Sequence, residues 1–354
     1  MKTVAVHTGI PYEVSIGRGL LGRAGEWLAG LTAPRVAAMV ADDTVDALYG
    51  DQVQQSLRGA GFRVSRMRFA HGEASKTLET YAAVLAFFSE SQITRSDIVV
   101  ALGGGVTGDL VGFAAATWLR GVRFAQIPTT LLAMVDSSVG GKTGVDLPAG
   151  KNLAGAFHQP VGVLCDPDVL STLPGDVFAD GMAEAIKYGV LCDEALFNRL
   201  AGGLRPEELE TVIGRCVAIK AEICAEDERD TGRRQLLNLG HTLGHAIERC
   251  SGYGMPHGHA VAVGMVYAAR IAADLGLCDA GCIARLKAAL RANGLPTDAD
   301  YPAQALAGAA LSDKKRSGGT LTFVLPRAIG RCELRPVPVE RLPDLAACAL
   351  RPDV

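Results

Sequence analysis

Along its first half the chain alternates short apolar runs with longer stretches of helical period. Arg35–Val40, Phe62–Phe69, Asp97–Leu102 and Val122–Ile127 have the length and composition of buried strands. Helical patterns lie between them over about Val45–Gly61 and Ser75–Gln92. Parallel strands need crossovers, and helices usually supply them, so this half predicts a parallel sheet covered by helices. Beyond about residue 170 the strand signals fade. Asp176–Gly189, Asp193–Ala201, Pro206–Asp227, Arg234–Cys250, Gly258–Leu275 and Cys278–Asn293 all read as helices. Thr320–Leu325 and Arg331–Val337, joined by a glycine-containing turn, predict a late hairpin. The expected organisation is an α/β domain over residues 1–173 and a mainly α-helical domain over 174–354.

One helical stretch stands apart. Arg234, Asn238, His241 and His245 are spaced i, i+4, i+7 and i+11, so on a continuous helix all four project from one face. Leu236, Leu237, Leu239 and Leu243 supply its apolar side. A solvated stripe is usually Lys and Glu; a guanidinium, an amide and two imidazoles suit a metal, an anion and a hydroxyl.

Composition narrows the setting. An apolar fraction of 49% supports sizeable cores, and a net charge of −3 without basic runs gives no reason to expect nucleic acid. Every long apolar run is broken by charge before membrane-spanning length, and the N-terminus shows no signal-peptide pattern, so a cytoplasmic protein without a membrane partner is expected. The nine cysteines are odd in number, scattered and without a CxxC pair. They read as reduced residues rather than a disulfide or zinc framework.

Several motifs add chemistry. Gly103-Gly104-Gly105-Val106-Thr107-Gly108-Asp109 ends a strand and opens a helix, where backbone N–H groups approach a pyrophosphate; a tight strand–helix turn is the plainer reading. Asp42, after an earlier strand, can take an adenosine ribose diol and so favours NAD over NADP, although a lone Asp there is more often a turn residue. Residues 136–144 and 150–153 form a second glycine-rich region bearing Lys142, Lys151 and Asn152. It lacks the spacing of a phosphate loop and could equally be a β-hairpin. Glu184 and Lys187 are i, i+3 on an otherwise apolar helix. Glu184, His241 and His257 make a ligand set suited to zinc with an open position. His241 and His245 lack the Glu that an HExxH pair requires, so one can bind metal while the other transfers protons.

Taken in order, residues 71–76, 103–113, 118–122, 128–145, 150–160, 184–189, 220–232, 234–248, 257–265 and 313–315 strongly resemble the 3-dehydroquinate synthases, a family of sugar phosphate cyclases. The resemblance spans nearly the whole chain. It implies an NAD-binding α/β domain and a metal-binding helical domain, with Glu184, His241 and His257 holding Zn2+ or Co2+. NAD would meet Asp42, Glu73, Lys76, the turn Gly104, Gly105, Val106, Thr107, Gly108 and Asp109, then Thr129, Thr130, Lys142, Lys151 and the segment Val169, Leu170, Ser171 and Thr172. The substrate carboxylate would meet Lys220 and Arg234. Its phosphate would meet Lys142, Asn152, His245, a lysine of the pair 314–315 and Arg120 reaching across a homodimer interface. Asp136, Lys187 and Asn238 would hold hydroxyls. The implied reaction converts a sugar acid phosphate, 3-deoxy-D-arabino-heptulosonate 7-phosphate, to 3-dehydroquinate and phosphate. A metal-dependent polyol dehydrogenase, another sugar phosphate cyclase and a non-catalytic binding protein are the rival readings. His71 and His259 depart from the family pattern, which often has Asp and Glu there; the second adds an imidazole two residues from a proposed ligand.

Overall fold

A computed structural model describes residues 1–311, 316–317 and 319–351. The lysine pair 314–315 lies outside them. Contacts divide the chain into two compact units, Met1–Leu173 with Ile213–Arg229, and Pro174–Val212 with Asp230–Val354. The chain thus crosses from one unit to the other three times, and most of the helix Leu209–Glu226 belongs with the first.

The first unit holds β1 (Lys2–Val6), β2 (Tyr12–Ile16), β3 (Val36–Asp42), β4 (Arg63–Phe69), β5 (Ile98–Gly103), β6 (Arg123–Pro128), β7 (Lys142–Leu147), β8 (Gly150–Phe157) and β9 (Val163–Cys165). Seven of these form one sheet in the order β1-β2-β9-β6-β5-β3-β4. Its β3, β4, β5, β6 and β9 pairings are parallel, and β1 runs antiparallel to β2. In β5 all six residues are buried, as expected of a parallel strand covered on both faces. Val99, Ala101, Val84, Phe88, Leu110 and Phe124 join one core between sheet and helices. The edge strand β1 and its neighbour β2, each only five residues long, carried no clear apolar run in the sequence. The second glycine-rich region is a hairpin, β7 paired antiparallel to β8.

The second unit is built on two helices, Gly175–Cys192 and His257–Asp274, with a sheet of β10 (Arg316–Ser317), β11 (Thr320–Ala328) and β12 (Arg331–Pro338). Val261, Ala262, Val263, Met265 and Val266 are all fully buried, so His257–Asp274 is a core helix enclosed on every side. Gly258 and Gly264 allow it to touch neighbouring backbone: a Cβ on either would overlap the carbonyl of Asp180 or Gly240. Among the described residues no helix is long and apolar enough to cross a membrane.

The stretch from Arg234 to Cys250 corrects the expectation of one continuous helix. Arg233–Asn238 is a 3-10 helix, Gly240 is left-handed with φ 80°, and an α-helix resumes over His241–Cys250. The four polar residues therefore do not share one helical stripe. The break has a packing cause. A Cβ on Gly240 would lie 2.6 Å from the Val261 carbonyl oxygen and 2.9 Å from the Met265 nitrogen, so only glycine gives both the turn and the close approach. Gly240→Ala combines a left-handed penalty of ~1–2 kcal/mol with overpacking of ~1–3 kcal/mol. Urea unfolding of the second unit is expected to register a loss of roughly 2–5 kcal/mol; an unchanged midpoint would contradict this account of the turn.

Candidate metal centre and nucleotide site

The helix Gly175–Cys192 buries two charges that fully buried positions almost never carry alone. Glu184 and Lys187, one helical turn apart, are each 1% exposed and form an ion pair. Both Glu184 carboxylate oxygens are buried and accept no well-formed hydrogen bond. Facing them are His241 Nε2 at 3.6 Å and His257 Nε2 at 3.5 Å from Oε1, too far for direct hydrogen bonds. The geometry is that of three donors arranged around a shared point, with ligand atoms all within 4.8 Å of one another.

The remaining ring nitrogens are committed elsewhere, which sets the tautomers. His241 Nδ1 lies 3.1 Å from the Leu239 carbonyl and donates to it, leaving Nε2 with its lone pair. His257 Nδ1 lies 3.4 Å from Glu248 Oε2. Carboxylate behind imidazole is the usual support of a metal-binding histidine. Burial by itself lowers the His257 pKa, but Glu184 and Glu248 outweigh it and push it up to about 10. The pocket draws positive charge. A divalent cation fits this donor set.

Glu248 was not singled out in the sequence, although it lies three residues after His245 on the same helix. It also belongs to a second possible ligand group, His245, Glu248 and His257. The two groups share His257 and make opposite predictions for Glu248. If Glu248 only supports His257, Glu248→Gln should weaken metal affinity by ~10–100-fold in a competition titration, with Glu184→Gln far more damaging. The reverse ranking would transfer the metal to the second group.

His245 packs its ring 5.4 Å from that of His241 and 5.9 Å from that of His257. Arg234 is buried at 2% exposure and Asn238 is half-buried, both on the 3-10 turn preceding the His241 helix. His259 does not compete for the cation: its Nδ1 and backbone N–H both meet Asp180 Oδ1, at 3.2 and 3.1 Å.

The other expected site residues lie in the first unit. Gly104 caps the helix Gly105–Thr117 without any side-chain hydrogen bond, leaving that helix end open to an acceptor. Packing accounts for part of the glycine pattern, because a Cβ on Gly108 would sit 2.6 Å from Gln126 Oε1. Asp109, on the following turn, accepts from Lys76 Nζ at 2.6 Å, and the same ammonium meets Asn152 Oδ1 at 2.6 Å. Burial opposes the charge of Lys76, but Asp109 and Glu73 hold its pKa above the usual value. Lys151 Nζ lies 3.7 Å from Glu73, which ties the β8 lysine to the same group.

Asp42 ends β3. One of its oxygens caps the next helical turn through Val45 N at 2.9 Å, and the other lies 3.5 Å from Thr107 Oγ1. Thr129 is buried with an unbonded hydroxyl, whereas Thr130 accepts from Ala133 N. Val169–Thr172 lies in the 3-10 turn Pro167–Thr172, tied down by Tyr49, whose hydroxyl reaches the Val169 carbonyl at 3.0 Å and Thr172 Oγ1 at 2.6 Å. Lys220 is buried and paired with Asp136, at 2.7 Å from its carbonyl and 3.1 Å from its carboxylate. Lys142 opens β7 and is exposed. Arg120 is exposed and follows Leu119 in a second consecutive left-handed conformation. A buried orphan hydroxyl, an open helix end and lysines held by carboxylates suit a dinucleotide with its phosphates.

Residues 66–180 match the family model of the 3-dehydroquinate synthase N-terminal region, and residues 181–316 match that of its C-terminal region. The chain is 50% identical to the 3-dehydroquinate synthase of Caulobacter vibrioides, over 93% of this chain and 94% of that one. It is 45% identical to that of Streptococcus pneumoniae serotype 19F, over 94% and 96%. Among solved structures, the 2-epi-5-epi-valiolone synthase ValA of Streptomyces hygroscopicus, bound to NAD+ and Zn2+, superposes with a TM-score of 0.88 at 28% identity, covering 97% of this chain and 98% of that one. A 2-deoxy-scyllo-inosose synthase with carbaglucose-6-phosphate, NAD+ and Co2+ gives a TM-score of 0.85 at 27% identity, over 98% and 99%. With both regions matched in sequence order and half of all aligned residues shared with a curated relative, the chain belongs to the 3-dehydroquinate synthase family.

Proposed function

We propose that this chain is a phosphate-eliminating lyase that converts 3-deoxy-D-arabino-heptulosonate 7-phosphate to 3-dehydroquinate and phosphate. It works as a homodimer, with NAD on the first unit and Zn2+ or Co2+ on the second. The observation that carries the reading is the buried Glu184 carboxylate, without a well-formed hydrogen bond and faced by two imidazole nitrogens. NAD and a divalent metal are bound by two solved synthases that share the fold.

When bound, the metal supplies Lewis-acid polarisation of a substrate hydroxyl and NAD supplies reversible hydride acceptance, which acidifies the neighbouring C–H bond for elimination. The protein's own residues orient and exchange protons. Glu184, His241 and His257 hold the metal. The Asp42, Glu73, Lys76, Gly104–Asp109, Thr129, Thr130, Lys151 and Val169–Thr172 groups hold the dinucleotide, with Lys142 at the phosphates. Arg234 takes the carboxylate in a bidentate grip. Lys187 and Asn238 orient hydroxyls, and His245, with its ring among the metal-binding imidazoles, relays a proton to or from the departing phosphate. Ring opening and an intramolecular aldol then close the carbocycle. The hydride taken at the start is returned, so the reaction has no net redox change.

NAD is therefore catalytic. With purified protein, the heptulosonate phosphate in excess and NAD well below it, many equivalents of phosphate and dehydroquinate should accumulate without matching absorbance from NADH. Stoichiometric NADH without phosphate release would instead identify a polyol dehydrogenase.

A further inference from the structure

Four cysteines that are far apart in sequence gather in the second unit. Cys192 ends the helix Gly175–Cys192, Cys278 and Cys282 bracket the start of the helix Ala280–Ala292, and Cys332 lies at the start of β12. The β11–β12 turn docks on the end of the first helix: the Val190 carbonyl accepts from Gly330 N at 3.0 Å and from Cys332 Sγ at 3.5 Å. The Cys282 sulfur is reached by the Ile329 N–H from that turn and by the thiol of Cys278. Asp279 caps the helix through Cys282 N at 2.9 Å, which holds the two thiols together across the helix start.

The cluster is not a ready-made ion cage. Among the described residues, the groups of three donors close enough to share a cation lie around His257. Two-sulfur chemistry is what the thiols support. The hydrogen bond from Cys278 lowers the Cys282 pKa below the usual thiol value, and the same bond raises that of Cys278. The first-turn position in its helix and the Ile329 N–H at its sulfur favour negative charge on Cys282, with Cys278 as its thiol partner. Cys278 is half-buried and Cys282 is 6% exposed, so only a small reagent fits.

We propose that Cys278 and Cys282 form a modification site that a hydroperoxide oxidises to an intramolecular disulfide. The Cys282 thiolate attacks one peroxide oxygen, the O–O bond breaks, and the second oxygen leaves as water or alcohol after protonation. The resulting sulfenic acid is attacked by Cys278, the S–S bond forms, the S–O bond breaks, and hydroxide leaves as water with the Cys278 proton. Two electrons pass from the two thiols to the peroxide. The single S–H of Cys278 has two alternative acceptors, the Cys282 sulfur and the Ala269 carbonyl at 3.6 Å on the helix that begins with His257, and closure releases it from both.

The test treats the reduced, metal-loaded full chain with hydrogen peroxide, alkylates the remaining thiols and maps peptides by mass spectrometry without reduction. The expected result is a Cys278–Cys282 linkage, loss of alkylation at both positions and its return on adding dithiothreitol. Cys278→Ser should leave a Cys282 sulfenic acid that dimedone labels, and Cys282→Ser should leave Cys278 fully alkylatable. Circular dichroism shows whether each variant folds, and the wild-type map decides the matter alone if either does not. Full alkylation of both residues after peroxide, or oxidation confined to the exposed Cys192, overturns the proposal.

Discussion

His257→Ala will leave the protein folded but nearly devoid of tightly bound divalent metal, and with the metal it will lose turnover. The wild-type chain should hold about one such ion, because three protein donors plus an open position describe a catalytic site. His257 is the residue on which both possible ligand groups depend, and its far nitrogen already rests against Glu248. Removing it deletes a ligand, so the loss should exceed the ~10–100-fold that removal of a supporting partner costs. His259→Ala is the matched control. That imidazole is two residues away and held by Asp180, so metal content should stay near the wild-type value. Elemental analysis after dialysis reads both variants directly. Metal loss in His259→Ala with retention in His257→Ala would invert the assignment.

Arg234→Met is expected to weaken productive binding of the acid substrate by about 2–5 kcal/mol, roughly 30-fold to several-thousand-fold, while zinc content and NAD affinity stay near normal. The guanidinium is 2% exposed and lies on the turn leading into the His241 helix, so it is already desolvated before any ligand arrives. A carboxylate meeting such a group gains a short bidentate contact at little further cost to the arginine. Comparing kcat/KM of the variant and the wild type on the substrate and on an analogue without the carboxylate separates recognition from folding. The variant should lose heavily on the first and little on the second. Equal losses would mean that Arg234 serves the fold or another part of the substrate, and the carboxylate role would be abandoned.

Much of this protein was legible in its sequence because the signals concerned were local. Apolar runs at strand length placed β3, β4, β5 and β6 to within a residue or two, and helical period placed the core helices Gly175–Cys192 and His257–Asp274. The ligand set Glu184, His241 and His257 followed from residue chemistry and the family resemblance, and the structure brings the three together. What the sequence could not decide depends on contacts between distant segments. Helical spacing from Arg234 to His245 suggested one polar stripe, but close packing of Gly240 on Val261 and Met265 breaks it. Glu248 was not singled out in the sequence, and only folding places its carboxylate behind His257. The scattered cysteines gave no pairing signal, yet one hairpin turn and two helix ends bring four of them into one cluster. Periodicity reports which face of an element is buried; which atoms meet there is set by tertiary packing, because backbone approach, hydrogen bonding and charge compensation act over distances in space that chain separation does not encode.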